Sequence, residues 1–166
     1  QGTADTLSAF GSRTIYHLTK SGLTFTYGYD YRKLDDDITA YADMDSRKHS
    51  HSVHAGITGF ERREGLAVNY EVKTTTGSVS MDSQRSRAMD TTNGEHTSGR
   101  YTKGEGNFTV VQQLGHRSDV MIKALGQLAS HNLDGSEEMY LGGASGIRAY
   151  PQGEGSGDEG VQGTIE

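Results

Sequence analysis

Three histidines, His49, His51 and His54, fall in one short stretch of the chain. In an extended segment alternate side chains share a face, so His49 and His51 stand side by side at a spacing that suits a metal pair. His54 falls on the opposite face and breaks the trio, and polar strand-end residues are the better account. Asp35, Asp36 and Asp37 offer three carboxylates to a calcium ion. The glycine and the closing bidentate glutamate of an EF-hand loop are missing, so a solvated loop explains them better. Seven histidines and many serines permit a nucleophilic triad on paper. No G-x-S-x-G elbow and no metal-spaced His/Glu set accompany them, and no helix is there to carry one. With no cysteine there are no disulfides and no thiolate metal sites. The expectation is a protein that is not an enzyme and holds no catalytic residue, metal or cofactor.

The stretch with the most distinctive chemistry is Leu141–Gly160. It contains the sole proline, Pro151, within a dense run of glycines. That is too much glycine for a helix or a regular strand. A compact cluster, Ile147, Arg148, Ala149 and Tyr150, sits in its middle. Long ordered loops of this kind carry function more often than they merely connect.

The elements that must hold this loop read as strands. Leu23–Arg32 alternates strictly, with Leu23, Phe25, Tyr27, Tyr29 and Tyr31 on one face and Thr24, Thr26, Gly28, Asp30 and Arg32 on the other. In a membrane barrel the aromatic face would meet lipid, with tyrosines near the headgroups; a strand of a soluble sandwich would alternate equally well. Further strands are predicted over Leu7–Tyr16, His49–Phe60, Leu66–Val72 with an extension towards Met81, Arg100–Leu114, Val120–Ala129 and Val161–Glu166. Residues 1–6 are polar and read as frayed. In Arg100–Leu114 the face that should be apolar holds Gly104 and Gly106 beside Phe108 and Val110.

Connection lengths separate the two architectures. Short turns at His17–Gly22, Glu61–Gly65 and Gly115–Asp119 alternate with long connections at Lys33–Asp45, Asp82–Gly99 and Asn132–Gly160. An up-and-down sheet places every second connection at the same end. All short turns then share one rim and all long loops the other, which is the pattern of outer-membrane barrels. A soluble sandwich has no reason to segregate loop lengths so regularly.

Composition sets the outer bounds. The 166 residues make one domain at most, and a formal charge of −6 argues against a nucleic-acid partner. No run of about 18 apolar residues exists, so no helix crosses a membrane. A hydrophobic content of 32% with 23 glycines is poor for a water-soluble core. It suits a barrel, where only every second residue need be apolar. About seven strands are fewer than the eight or so that close a barrel. The chain is therefore expected to be a fragment of a larger barrel, an assembling subunit or an excised piece, with two open strand edges.

The loop residues also carry a family resemblance. Leu141-Gly142-Gly143, then Gly146-Ile147-Arg148-Ala149-Tyr150-Pro151-Gln152-Gly153-Glu154, then Ser156-Gly157-Asp158-Glu159-Gly160 closely resemble the inward-folding loop of TpsB transporters. These are the outer-membrane partners of two-partner secretion, or haemolysin secretion/activation proteins. Ile147-Arg148-Ala149-Tyr150 is similar to the family's Val-Arg-Gly-Tyr/Phe motif. The resemblance implies an all-β, antiparallel up-and-down meander forming part of a transmembrane barrel. Within domain 1–166, residues 132–160 would be the inward-folding loop and 161–166 the start of a further strand. It implies that Arg148 points at an acidic residue on the inner wall, on a strand beyond Glu166, and that Gly142, Gly143, Gly146, Pro151, Asp158 and Glu159 belong to the same motif. The implied partners are a secreted exoprotein, the lipid of the bacterial outer membrane, and the rest of the barrel or other copies along the open edges; nucleic acid is not among them. The competing expectation is an excised or redesigned soluble β module that self-associates through those edges.

Overall fold

The computed structural model describes residues 2–36, 46–81, 98–135, 137–141 and 155–166. Six long strands follow one another: β1 (Gly2–His17), β2 (Ser21–Asp36), β3 (Ser46–Arg63), β4 (Leu66–Met81), β5 (Gly99–Gln113) and β6 (Asp119–Ala129). Two short strands, β7 (Met139–Tyr140) and β8 (Ser156–Gly157), precede β9 (Gly160–Ile165). The main sheet has seven strands in the order β1-β2-β3-β4-β5-β6-β9, every pair antiparallel. It is an up-and-down meander, as the alternation predicts. The edges β1 and β9 do not pair with each other, so the sheet stays open.

The strands run further than hydrophobic alternation alone marks them. Residues 2–6, expected to fray, are rungs of β1 paired with residues 32–36 of β2. Residues 33–36, expected in a loop, are strand for the same reason, and β4 does extend to Met81. A β ladder is held by backbone hydrogen bonds to its neighbour, and these continue where the side chains turn polar. Polarity marks where the apolar band ends, not where the ladder ends. The pair β7–β8 was not predicted, because two residues carry no readable period.

The described turns lie at one end. Leu18 N–H donates to Ser21 O at 2.7 Å, and Leu114 N–H donates to Ser118 O at 2.9 Å. Between β3 and β4 only Glu64 and Gly65 intervene, with Gly65 in the left-handed region at φ 68. A two-residue hairpin demands such a residue, and glycine takes it without a Cβ clash. The connections at the other end, 37–45, 82–97 and the segment after β6, are the long ones.

The two faces are opposite in chemistry. One carries Phe25, Tyr27, Tyr29, Val53, Ile57, Val72 and Phe108, all exposed. Rung partners confirm that they share a face: Phe25 pairs with Ile57 and Ile57 with Val72, as Tyr29 pairs with Val53. The other face carries Ser50, Ser52, Thr75, Lys103, Gln127 and Gln162, all buried. Val53 is 55% exposed while Lys103 is 7% exposed. A soluble sandwich buries its apolar face and wets its polar one. This sheet does the reverse, as a barrel in lipid must.

Candidate functional site

The site is the patch of polar face covered by the segment that leaves β6. At the exit Ser130 N–H donates to Thr102 O at 2.9 Å, while Ser130 Oγ accepts from Thr102 N–H at 3.0 Å. The chain then crosses the inward side of the sheet. Leu133 is pressed against it at 2% exposure and packs with Val79, Tyr101 and Ala129. This is the sole cluster of buried hydrophobic side chains among the described residues. It fixes the segment's position, and the polar contacts fix its orientation.

Two buried acids make most of those contacts. Asp134 receives Lys48 Nζ at 2.7 and 3.0 Å, one bond to each carboxylate oxygen. Glu137 lies between two cations: Arg32 Nη1 reaches Oε1 at 2.9 Å, and Lys103 Nζ reaches Oε2 at 2.9 Å. Lys103 also donates to the Glu137 carbonyl at 2.9 Å, and Gln127 Nε2 donates to the same oxygen at 3.2 Å. A local turn, Glu137 N–H to Asp134 O at 2.7 Å, spaces the acids to match the wall. The cations come from β2, β3 and β5, and Gln127 comes from β6. All four sit at inward parity on their strands, which is why one short segment can touch them together. Charge-assisted bonds of this kind, shielded from water, are strong while complete.

The returning arm is tied in by Asp158. Its Oδ1 accepts from Leu133 N–H at 2.8 Å, and its carbonyl accepts from Gln127 Nε2 at 3.1 Å. The arms pair as β7 and β8, Met139 with Gly157 and Tyr140 with Ser156. Leu141 N–H donates to Gly155 O at 2.9 Å and Tyr140 Oη to Gly135 O at 2.8 Å. Below the arms lies a groove of about 410 Å³ whose charged lining includes Glu71, Lys73, Glu105 and Glu138. Lys73 and Glu105 pair across it at 2.9 Å.

Of the residues expected to matter, Asp158 and Glu159 are described: Asp158 joins the arms, and Glu159 is exposed. Gly142, Gly143, Gly146, Ile147, Arg148, Ala149, Tyr150 and Pro151 lie outside the described residues. Sequence reasoning missed Arg32, Lys48, Lys103, Gln127, Asp134 and Glu137. It expected an arginine of the loop to meet an acid of the wall; the described contacts run the other way, with acids on the segment and cations on the wall. The available signal was parity, because Arg32 and Lys103 fall on the non-aromatic side of their strands. The histidines separate as their spacing requires. His51 is on the outward face with Nδ1 2.6 Å from Tyr29 Oη, and His54 faces inward, 3.2 Å from Asp30. Among the described residues no group of three His, Cys, Asp or Glu is arranged to hold a metal ion.

The sequence and the fold have counterparts in known proteins. The family model for haemolysin secretion/activation proteins ShlB/FhaC/HecB matches residues 1–162. The fold is similar to that of CdiB from Escherichia coli, with a TM-score of 0.78 at 18% sequence identity. That similarity covers 99% of this chain and 30% of that one, so the chain spans under a third of that protein's length. No curated protein sequence matches the chain.

Proposed function

The chain belongs to the haemolysin secretion/activation protein family ShlB/FhaC/HecB, and from that premise we propose that it forms wall and inner loop of an outer-membrane pore that secretes a partner exoprotein. The observation that carries this reading is the inverted sheet, with a buried polar face clasped by Asp134 and Glu137 beneath an exposed apolar one. A lumen lined by Ser, Thr, Gln and paired charges offers an unfolded polypeptide hydrogen bonds without a continuous apolar surface on which to stick. Passage needs no nucleophile, metal or cofactor from this segment; its work is transport.

In this reading residues 132–160 act as plug and brace. The arms are clasped to the wall, and the glycine-rich middle carries Arg148 towards a carboxylate on another strand. Arginine suits that task, since its planar fork holds a carboxylate bidentately and keeps its charge. Gly142, Gly143 and Gly146 let the backbone pass a crowded lumen, with Ile147, Ala149, Tyr150 and Pro151 shaping the tip. Asp158 and Glu159 close the returning arm. The exoprotein, the lipid and the remaining barrel strands are the partners. The exposed apolar face favours this reading over a soluble self-associating module.

The test uses the intact protein in planar bilayers and in cells making its exoprotein. Removal of residues 142–154 is expected to enlarge the single-channel conductance and depress secretion, with the barrel still resistant to unfolding at room temperature. Arg148→Ala is expected to depress secretion while the barrel remains folded. A protein that makes no pore, or one whose conductance ignores the deletion, would overturn the reading.

A further inference from the structure

The outward face has two borders, and they differ. On β3 the outward residues between His51 and Glu61 are Val53, Ala55, Ile57 and Gly59. Ten residues of strand span roughly 33 Å, and at a tilt of ~40° they rise roughly 25 Å, the height of a barrel's apolar band. His51 therefore stands at one headgroup level and Glu61 at the other. Glu61 belongs to the end with the short turns, so His51 belongs to the end with the long loops, which in an outer-membrane barrel faces the cell exterior.

At the His51 border the outward side chains form a cationic and aromatic cluster. Tyr31 pairs with His51 on one rung, and Lys33 pairs with His49 on the next outward rung. The His51 ring lies 4.8 Å from Tyr31 and 5.9 Å from His49, centroid to centroid. Its Nδ1 is taken by Tyr29 Oη, which leaves recognition to Nε2. Arg100 occupies the His51 row two strands on, through Ser78, roughly 10 Å away. One carboxylate, Asp5, shares the Lys33 row at the β1 edge. The other border carries Ser21, Glu61, Val68 and Val110, and the cation on its next outward rung, Arg63, is held by the Glu61 carboxylate at 2.6 Å.

From this asymmetry we propose that Lys33, His49, His51 and Arg100 form a binding site for the phosphorylated headgroup of an outer-leaflet glycolipid. The proposal rests on the outer-membrane reading above and adds a ligand on the opposite face of the sheet from the clasp. Arginine, lysine and imidazole N–H groups are phosphate donors. The tyrosines beside them sit where an amphipathic ring meets both acyl chain and headgroup. Charge complementarity selects an anionic headgroup, and the position at the edge of the apolar band selects one attached to acyl chains. A soluble phosphate gains nothing from that edge.

The test compares three forms of the intact protein in mild detergent: wild type, a variant with Lys33, His49, His51 and Arg100 all changed to Gln, and a control with Lys20, Arg62 and Arg117 changed to Gln at the turn end. Each is titrated with a bis-phosphorylated glycolipid, its dephosphorylated form and inorganic phosphate. Wild type and control are expected to prefer the phosphorylated lipid, and the quadruple variant to bind it roughly thirtyfold more weakly, in line with the combined attraction of Lys33 and Arg100 to an anionic headgroup surface. Heat-modifiable gel mobility checks that all three forms are folded. Equal binding by wild type and quadruple variant overturns the site, as does an equal loss in the turn-end control. Indifference of wild type to the lipid's phosphates overturns it too, and so does binding of inorganic phosphate as tight as that of the lipid. A wild-type protein that fails to enter bilayers overturns the outer-membrane reading along with the site.

Discussion

The same strands carry two faces that are stabilised by opposite means. Outward, Val53, Ile57 and Val72 are exposed and touch little of the protein; their free energy comes from the medium they meet. Inward, Lys103, Gln127 and Glu137 are buried and hold one another through specific bonds. The outward face needs only to be apolar and to the right depth, so many side chains serve. The inward face needs particular groups in particular places, because a buried charge that loses its partner costs far more than a missing methyl. Tolerance and specificity thus alternate residue by residue along each strand.

The sharpest way to break that contrast is Glu137→Ala. It takes the carboxylate from Arg32 and the nearer of two from Lys103, which keeps Glu105 at 3.8 Å; Lys103 is the more deeply enclosed, at 9% side-chain exposure against 35% for Arg32. Removing one partner of a buried pair costs about 3–5 kcal/mol, and water reaching Arg32 places the clasp at the low end. Protease sensitivity near residues 130–141 should rise sharply while the barrel strands stay protected. Changing Lys103 and Glu137 together to Met should restore part of the loss, since the deeply enclosed ammonium goes with its partner and only the more exposed Arg32 is left without its carboxylate. If the single and double variants behaved alike, the ion pair would carry no energetic weight.

Neighbouring residues of β3 offer a smaller test of the same contrast. Ile57 faces outward and Thr58 inward, as their partners Val72 and Glu71 show. A lysine near the middle of the lipid-facing band costs about 2–4 kcal/mol. Ile57→Lys should lower the folding free energy in vesicles by about that amount, and Thr58→Lys by well under half of it. Urea titration of the intact protein in lipid vesicles reads both. Equal losses would mean that the exposed apolar face does not meet lipid.

What was legible in the sequence follows the same division. Leu23–Arg32 shows its aromatic side by period two, and the alternation of short and long connections gave the meander its direction. Those features depend on type and spacing, which a sequence displays. The clasp depends on three strands meeting one segment, and nothing local in Arg32, Lys48 or Lys103 announces a partner 105, 86 or 34 residues away. Each reads as an ordinary solvated charge until rung partners are known. Arg148 drew attention because its motif is contiguous. Asp134 and Glu137, with equally definite bonds, lie in a stretch without a motif.

The smallest effects distinguish the faces through glycine. Gly77 and Gly104 belong to adjacent strands and differ in what an added Cβ would meet. At Gly77, which faces inward, it would come within 2.7 Å of the His51 carbonyl and 2.8 Å of the Tyr101 ring. The carbonyl is fixed in the β3–β4 ladder and Tyr101 packs against Leu133, so neither yields cheaply. Overpacking of this kind costs about 1–3 kcal/mol. At Gly104, on the outward face, nothing lies within 4 Å. Gly104→Ala adds apolar surface to the lipid side and stiffens the unfolded chain, which favours the folded state by about 0.4–1 kcal/mol. The two alanine variants should therefore shift the unfolding midpoint in opposite directions. Two shifts of the same sign would show that close packing, and not medium, governs the outward face as it does the inward one.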